Sequence, residues 1–321
     1  MSSDRPAFPG GGRYHRLGPA LRARFGERVQ KVTLRGGFGC PNRDGRVGVG
    51  GCVFCSTQAL LPASGDAFGP VTQQFEAGFA AATRRTRARK AIAYFQDQTA
   101  TDAPLPVLRD LYTNALSDPR VVALAVGTRP DWLPAQVLEL LSELAARKPV
   151  MVELGLQTAN DEILRAINRN HSVADFESAV ERCHAHNLEV VAHVIIDLPD
   201  ESQDDREQTA ACLNRTAVEG VKIHNLHVLK DTPLAGQYDK GMLHLAPLPE
   251  YADMVAGFLQ ELRPAVVIHR LTGEGPAELM LAPAWGRDKQ RILRCIEQRL
   301  EELDAWQGKK HEDAKRQSRI G

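Results

Sequence analysis

Short apolar stretches, each followed by a segment of helical length, recur along most of this 321-residue chain. Residues 29–35, 91–96, 121–127, 150–156, 189–196, 221–228 and 266–270 are brief and rich in β-branched side chains, as strands buried on both faces are. Between them, residues 71–89, 104–117, 134–147, 173–187, 202–219 and 249–262 read as helices, and Pro134 after Leu133 and Ser202 with Asp205 three positions on mark two helix starts. Parallel strands need a crossover, usually a helix, so the alternation predicts an α/β barrel or an open doubly wound sheet. Polar residues gather where the strands end: Gln96-Asp97-Gln98-Thr99, Gly127-Thr128-Arg129, Gln157-Thr158, Asp197 and His227. Both folds bind ligands at the carboxyl ends of their strands. A site spread over five strands favours the barrel, complete or partial, over a single crevice.

The first strand feeds directly into a loop that holds three of the six cysteines, Cys40, Cys52 and Cys55, with seven glycines between Gly36 and Gly51. Three thiolates occupy three corners of a metal site. Zinc would be closed by a fourth Cys or a His, here His15 or His171; an iron–sulfur cluster with one iron lacking a protein ligand would leave that corner to a substrate or cofactor. Soft sulfur suits both, and the glycines allow positive φ and close backbone approach around a bulky inorganic group. Cys183, Cys212 and Cys295 fall on helical segments at separations that form no motif, and read as small buried hydrophobes.

Forty basic and forty acidic residues cancel, so net charge gives no steering toward nucleic acid or membrane. Locally, residues 1–35 carry eight Lys/Arg against two Asp/Glu, and Arg84, Arg85, Arg87, Arg89 and Lys90 form a second basic run; a solvated face is the default reading and an RNA contact the sharper one. No apolar run approaches the ~18 residues that span a bilayer, and no hydrophobic signal core opens the chain, which predicts a cytoplasmic protein whose clustered thiols hold metal rather than disulfides. The expected organisation is a leader and basic segment over 1–28, a barrel domain over 29–284, a C-terminal helix over 285–307 with Ile292, Ile296, Leu300 and Leu303 at helical spacing, and a disordered basic tail over 308–321.

Cys52-Val53-Phe54-Cys55 after the first strand of a β/α chain resembles the radical S-adenosylmethionine (SAM) superfamily, whose common spacing is Cys-x3-Cys-x2-Cys. The eleven-residue first gap departs from that spacing, but Cys40-Pro41-Asn42-Arg43-Asp44-Gly45 and Gly50-Gly51-Cys52-Val53-Phe54-Cys55 resemble the YhcC-like family, where a long gap is normal; the likeness runs from about Arg13 to Cys295. It implies a partial (β/α)6-type TIM barrel with a C-terminal helical extension, a [4Fe–4S] cluster on Cys40, Cys52 and Cys55, and SAM on the fourth iron. By the same resemblance, the backbone of Phe54 lies against adenine, and Gln96 and Gln98 stand where the superfamily has a Gly-Gly-Glu-like contact to the SAM amino group. Gly155-Leu156-Gln157-Thr158 is similar to the Gly-x-Gln-Ser/Thr pattern of oxygen-independent coproporphyrinogen oxidases and elongator-type enzymes, which gives Gln157 a SAM contact. Arg169 would hold the SAM carboxylate and His193 would touch the ribose, while Asp197 and Asp200 replace the usual glycines of the next turn. Each of these has an ordinary structural reading when taken singly; their order along successive strands favours the cofactor.

The implied chemistry is reductive cleavage of SAM, driven by a flavodoxin- or ferredoxin-type electron donor, and hydrogen abstraction from a substrate, with the loop around Arg129 helping to close the mouth. On the sixth strand Asn225 and His227 share one face, expected to point into the barrel, and Lys222 and His224 share the other. Lys230, His269 and Arg270 are further substrate-side candidates. Similarity to elongator-type enzymes, with the basic N-terminal region, points to a tRNA base such as a wobble uridine. A small metabolite is the alternative substrate, and a zinc-stabilised RNA-binding protein without catalysis is the alternative of another class.

Overall fold

Seven parallel strands form one curled sheet in a computed structural model that describes residues 5–56 and 69–312. They are β1 (Val29–Leu34), β2 (Lys90–Phe95), β3 (Val121–Thr128), β4 (Val150–Gln157), β5 (Glu189–Ile196), β6 (Gly220–Asn225) and, last in the sheet, β8 (Val267–Arg270), paired in that order. Helices α2 (Val71–Thr86), α3 (Leu105–Ser117), α4 (Ala135–Ala145), α6 (Val173–Ala185), α7 (Gln203–Arg215) and α9 (Leu248–Glu261) form the crossovers and cover the outer face. Capping boxes at Ser172/Asp175 and Ser202/Asp205 start α6 and α7, satisfying amides that the first turn leaves free. The first and last strands do not pair, yet Lys31 Nζ on β1 lies 3.3 Å from His269 Nδ1 on β8. The sheet is therefore a half-barrel, open at one seam.

Period-two alternation sends Val32, Leu34, Val126, Leu154 and Ile196 outward to the helices and leaves three layers inside. The lowest is apolar: Val29, Ile92, Ala123, Met151 and Val191 meet Leu21, with Leu17 and Phe25 against them. Those last three belong to α1 (Leu17–Phe25), which plugs the floor where strands begin. The middle layer is charged, and the upper one opens into a cavity.

Several boundaries differ from the sequence reading. Residues 5–28 are no free leader: Phe8 and Tyr14 are buried, and Arg16 bridges to Ile268 beside the open seam. The sixth strand stops at Asn225, because the chain turns there to pair β7 (Val228–Leu229) antiparallel with β9 (Met280–Ala282). Two short helices, α5 (Asp161–Ala166) and α8 (Pro233–Asp239), were unanticipated. The C-terminal helix α10 spans Lys289–Glu302 after a 3-10 turn at Ala284–Arg287, and lies on α9. The tail expected to be free from Gly308 stays bound as far as 312: the Gly308 amide donates to Leu259 O at 3.1 Å and Lys310 pairs with Glu261 at 2.9 Å. Residues 313–321 lie outside the described residues.

Candidate active site

The cysteine loop owes its shape to backbone contacts that its glycines and one carboxylate permit. Asp97, at the end of β2, accepts the amides of Gly36, Gly37 and Phe38 at 2.9 to 3.3 Å, which fixes the loop's start. Gly51 has a φ of +85°, and a Cβ there would meet the Arg43 side chain at 2.9 Å. The Arg43 guanidinium in turn donates to the carbonyls of Gly50 and Cys55. Cys52 is buried and Cys40 and Cys55 half-buried. Burial pushes the Cys55 thiol up, and the neighbouring Cys52 and Cys40 add to the shift, so Cys55 resists ionising unless a cationic centre compensates it.

Among the described residues no three His, Cys, Asp or Glu side chains are grouped closely enough to hold a single metal ion. The two histidines weighed as a fourth ligand are engaged elsewhere. His15 stacks on Phe8 at 6.1 Å, and His171 accepts from Arg169 Nε at 2.9 Å through Nε2 while its Nδ1 lies 3.1 Å from Ser172 O. Burial, followed by the Arg169 charge, lowers His171 to about 4, consistent with a neutral ring that carries its proton on Nδ1.

Beside the thiols lies a cavity of about 520 Å³. Phe54, Gln96, Gln98, Gln157, Arg169 and His193 all line it, and so do Asn225, His227 and Arg270. Gln98 and Gln157 are held at φ of +54° and +77°, left-handed conformations that cost free energy in non-glycine residues and concentrate at functional sites. Arg169, 8% exposed, donates from Nη2 to Gly155 O at 2.8 Å and from Nη1 to Cys52 Sγ at 3.6 Å. Three of its five N–H groups are thus committed and two remain. Arg129 does not stand at the mouth: it is buried, pairs with Asp131 at 2.8 Å and donates to Arg169 O at 2.9 Å, bracing the arginine loop from behind.

Beneath the cavity runs the charged layer. Glu153 of β4, fully buried, receives Lys31 of β1 at 2.5 Å, His193 of β5 at 2.9 Å and Lys222 of β6. Lys222 also donates to Tyr94 OH at 2.8 Å. Two lysines share one carboxylate, so the Coulomb attraction of Lys222 and Lys31 holds Glu153 well below the usual range against the cost of burial. Burial drives Lys222 well below the usual range for an ammonium. His193 is lowered to about 4 by burial and then by the Lys222 charge; its ring stacks on His224 with centroids 5.4 Å apart.

The sixth strand also sends inward the face assigned to the outside. Lys222 and His224 turn into the barrel, while Asn225, which lines the cavity from the strand end, accepts from Thr272 Oγ1 at 2.8 Å and the Gly273 amide at 3.0 Å. His227 borders the cavity from the turn beyond, its buried Nε2 without a hydrogen-bond partner among the described residues. His269 lies in the floor against Lys31, and Lys230 is exposed; neither lines the cavity. Sequence reasoning missed Glu153, Lys31 and Tyr94. The one signal available was an acid inside the apolar run Val150–Leu156, at a position sharing the inward face of Gly155 and Gln157.

Residues 37–213 match the Radical SAM superfamily and residues 218–302 the Radical_SAM C-terminal domain. The chain is 41% identical over 301 residues to the uncharacterized protein YtqA of Bacillus subtilis, covering 92% of each. It is 38% identical over 270 residues to protein YhcC of Escherichia coli K12, covering 84% of this chain and 86% of that one. A partial match, 23% identical over 189 residues, covers 58% of this chain and 40% of a tRNA uridine(34) acetyltransferase of Dehalococcoides mccartyi. The solved structure of archaeal Methanocaldococcus infernus Elp3 superimposes with a TM-score of 0.68 at 17% identity, covering 87% of this chain and 64% of that one, and speaks for the fold alone. The half-barrel, the cysteine loop at the end of its first strand and these matches agree: the chain belongs to the radical SAM superfamily of enzymes, as a relative of YhcC and YtqA.

Proposed function

We propose that this enzyme uses a [4Fe–4S] cluster held by Cys40, Cys52 and Cys55 to cleave SAM, and abstracts a hydrogen atom from a tRNA base, a uridine at the wobble position. One observation carries the reading: a single cavity joins Phe54 of the cysteine loop to Gln157, Arg169 and the imidazoles above the charged layer, so a cofactor on the thiolates and a substrate group over the barrel share one chamber. The donor set fits, with three thiols in one glycine-rich loop and two N–H groups directed at the sulfur of Cys52.

When bound, the cluster and SAM supply an electron and a 5′-deoxyadenosyl radical, chemistry that belongs to the cofactors. The chain's own residues do the rest. Arg169 offers its two uncommitted N–H groups to a carboxylate, and Gln157, fixed in a left-handed turn, presents an amide to the same side of the cavity. The charged layer and the α1 plug close the floor, which keeps bulk water from entering beneath the reacting group. Reduction requires an external donor of the flavodoxin or ferredoxin class.

The RNA substrate rests on the relative named for tRNA uridine(34) and on the Elp3-like fold. Two measurements test the reading. Anaerobic reconstitution should give brown protein that releases 5′-deoxyadenosine from SAM and dithionite; colourless protein retaining one zinc would refute it. A deletion strain should show an altered tRNA nucleoside at the wobble position. An unchanged nucleoside profile with accumulation of a small molecule would move the substrate to metabolites.

A further inference from the structure

We propose that the eleven residues between Cys40 and Cys52 serve to bring Asn42 against the Cys52 sulfur, where its side-chain amide, with Arg169, raises the reduction potential of the cluster. The proposal rests on the cluster reading above and adds a positioning role that no motif assigns.

The gap folds back on itself. Asp44 and Val49 form an antiparallel bridge, the Val47 amide donates to Pro41 O at 2.8 Å, and the Gly51 amide donates to Asn42 O at 2.8 Å. Residues 42 and 52 are thereby set side by side. A three-residue gap is too short to make this return.

Asn42 is fully buried and every polar atom of its side chain is assigned. Nδ2 donates to Asn168 O at 2.7 Å and to Cys52 Sγ at 3.6 Å, and Oδ1 accepts from Asn170 Nδ2 at 2.8 Å. A backbone carbonyl only accepts, so the amide cannot be turned the other way. The surroundings are tight: a Cβ on Gly48 would come within 2.4 Å of both Asn42 Oδ1 and Asn170 Nδ2. Arg169 reaches the same sulfur at 3.6 Å. It is carried between Asn168 and Asn170, both at positive φ, and Asn168 Nδ2 ties that turn to Gly51 O at 2.7 Å. One amide and one guanidinium therefore converge on one ligand sulfur from two separate loops that are bonded to each other.

One-electron reduction of the cluster from the 2+ to the 1+ state adds negative charge that the ligand sulfurs share. Hydrogen bonds and a nearby cation stabilise the reduced state more than the oxidised one and so raise the potential.

The test is an EPR-monitored potentiometric titration of reconstituted protein with dithionite. Asn42→Ala and the near-isosteric Asn42→Leu remove the donor without adding charge. With four irons retained, the reduced-to-oxidised ratio at a fixed potential should fall about tenfold, a midpoint about 59 mV more negative for one electron. Asn170→Gly, which keeps the left-handed turn that carries Arg169, removes the contact to Oδ1 but leaves the N–H···S bond, and should titrate like wild type. A wild-type midpoint in an iron-replete Asn42 variant, or an equal shift in Asn170→Gly, would overturn the proposal. Loss of iron by both Asn42 variants with helical content intact would make the residue a brace for the loop and overturn it as well. Wild-type protein that binds no iron would defeat the cluster reading first, and this inference with it.

Discussion

Glu153 is the residue on which the interior depends. A carboxylate in the middle of a barrel is tolerable only because Lys31, Lys222 and His193 reach it from three other strands, and removing one member of a buried ionic set leaves the others uncompensated. Glu153→Gln should therefore cost about 3–5 kcal/mol of stability, read as a lower midpoint in urea unfolding. The double variant Glu153→Gln with Lys222→Met should recover part of that loss; a single variant as stable as wild type would show that the lysines do not depend on the carboxylate. None of this could be read from sequence. The partners lie 122, 69 and 40 positions away, and strand pattern marks a face without naming what stands opposite. Gln157 and Arg169 were legible for a different reason: each sits in a short local motif after a strand or helix, and the chain's own turn delivers them to the cavity.

At the scale of elements, strand–helix alternation predicted seven strands and six crossovers, because buried parallel strands and their amphipathic covers carry strong periodic signals. What it missed was α1. The helix has one buried side chain, Leu21, among arginines, so the segment reads as a basic leader; only the curl of the sheet creates the hole it fills. Leu21→Ala should cost about 2–5 kcal/mol, measured by urea unfolding, because Val29, Ile92, Ala123, Met151 and Val191 cannot collapse onto the space while the strands hold them apart. A loss below about 1 kcal/mol, the range of a surface change, would mean that the plug carries no load. The sixth strand was misread for a similar reason. Its apolar pattern runs on past Asn225, and it is the tertiary pairing of Val228 with Ala282 that ends it.

For the molecule as a whole, buried imidazoles dominate the response to acid. His171, His193 and His227 are lowered to about 4 from an ordinary value near 6.5, and His224 and His269 well below it, in every case chiefly by burial. Below pH 6.5 the unfolded chain takes up protons that the folded one refuses, so stability is complete above that value and falls as the pH drops toward 4. Three carboxyls act in the opposite sense: burial raises Asp197 to about 6, Glu201 to about 7, and Asp97 above its ordinary value, so the folded state gains protons first at these sites. Five imidazoles outweigh three carboxyls. The unfolding midpoint should fall between pH 6.5 and 5, by up to about 1.4 kcal/mol per pH unit for each proton not offset, and His193→Asn should flatten the slope; a midpoint that rises over this interval would contradict the assignment. The ends of the described chain are joined as tightly as its interior. The Gln307 amide donates to Arg13 O at 2.9 Å, Gln307 Oε1 accepts from the His15 amide at 2.8 Å, and its Nε2 holds Arg263 O and Val266 O at 2.8 Å each. During synthesis, the segment around Arg13 cannot be locked until residue 307 has followed it, whereas Cys40, Cys52, Cys55 and Arg169 are all made well before that residue. The cysteine loop and the arginine loop are thus complete while the seam of the barrel is still undone, so each new chain passes through a stage in which its cavity is open from the side.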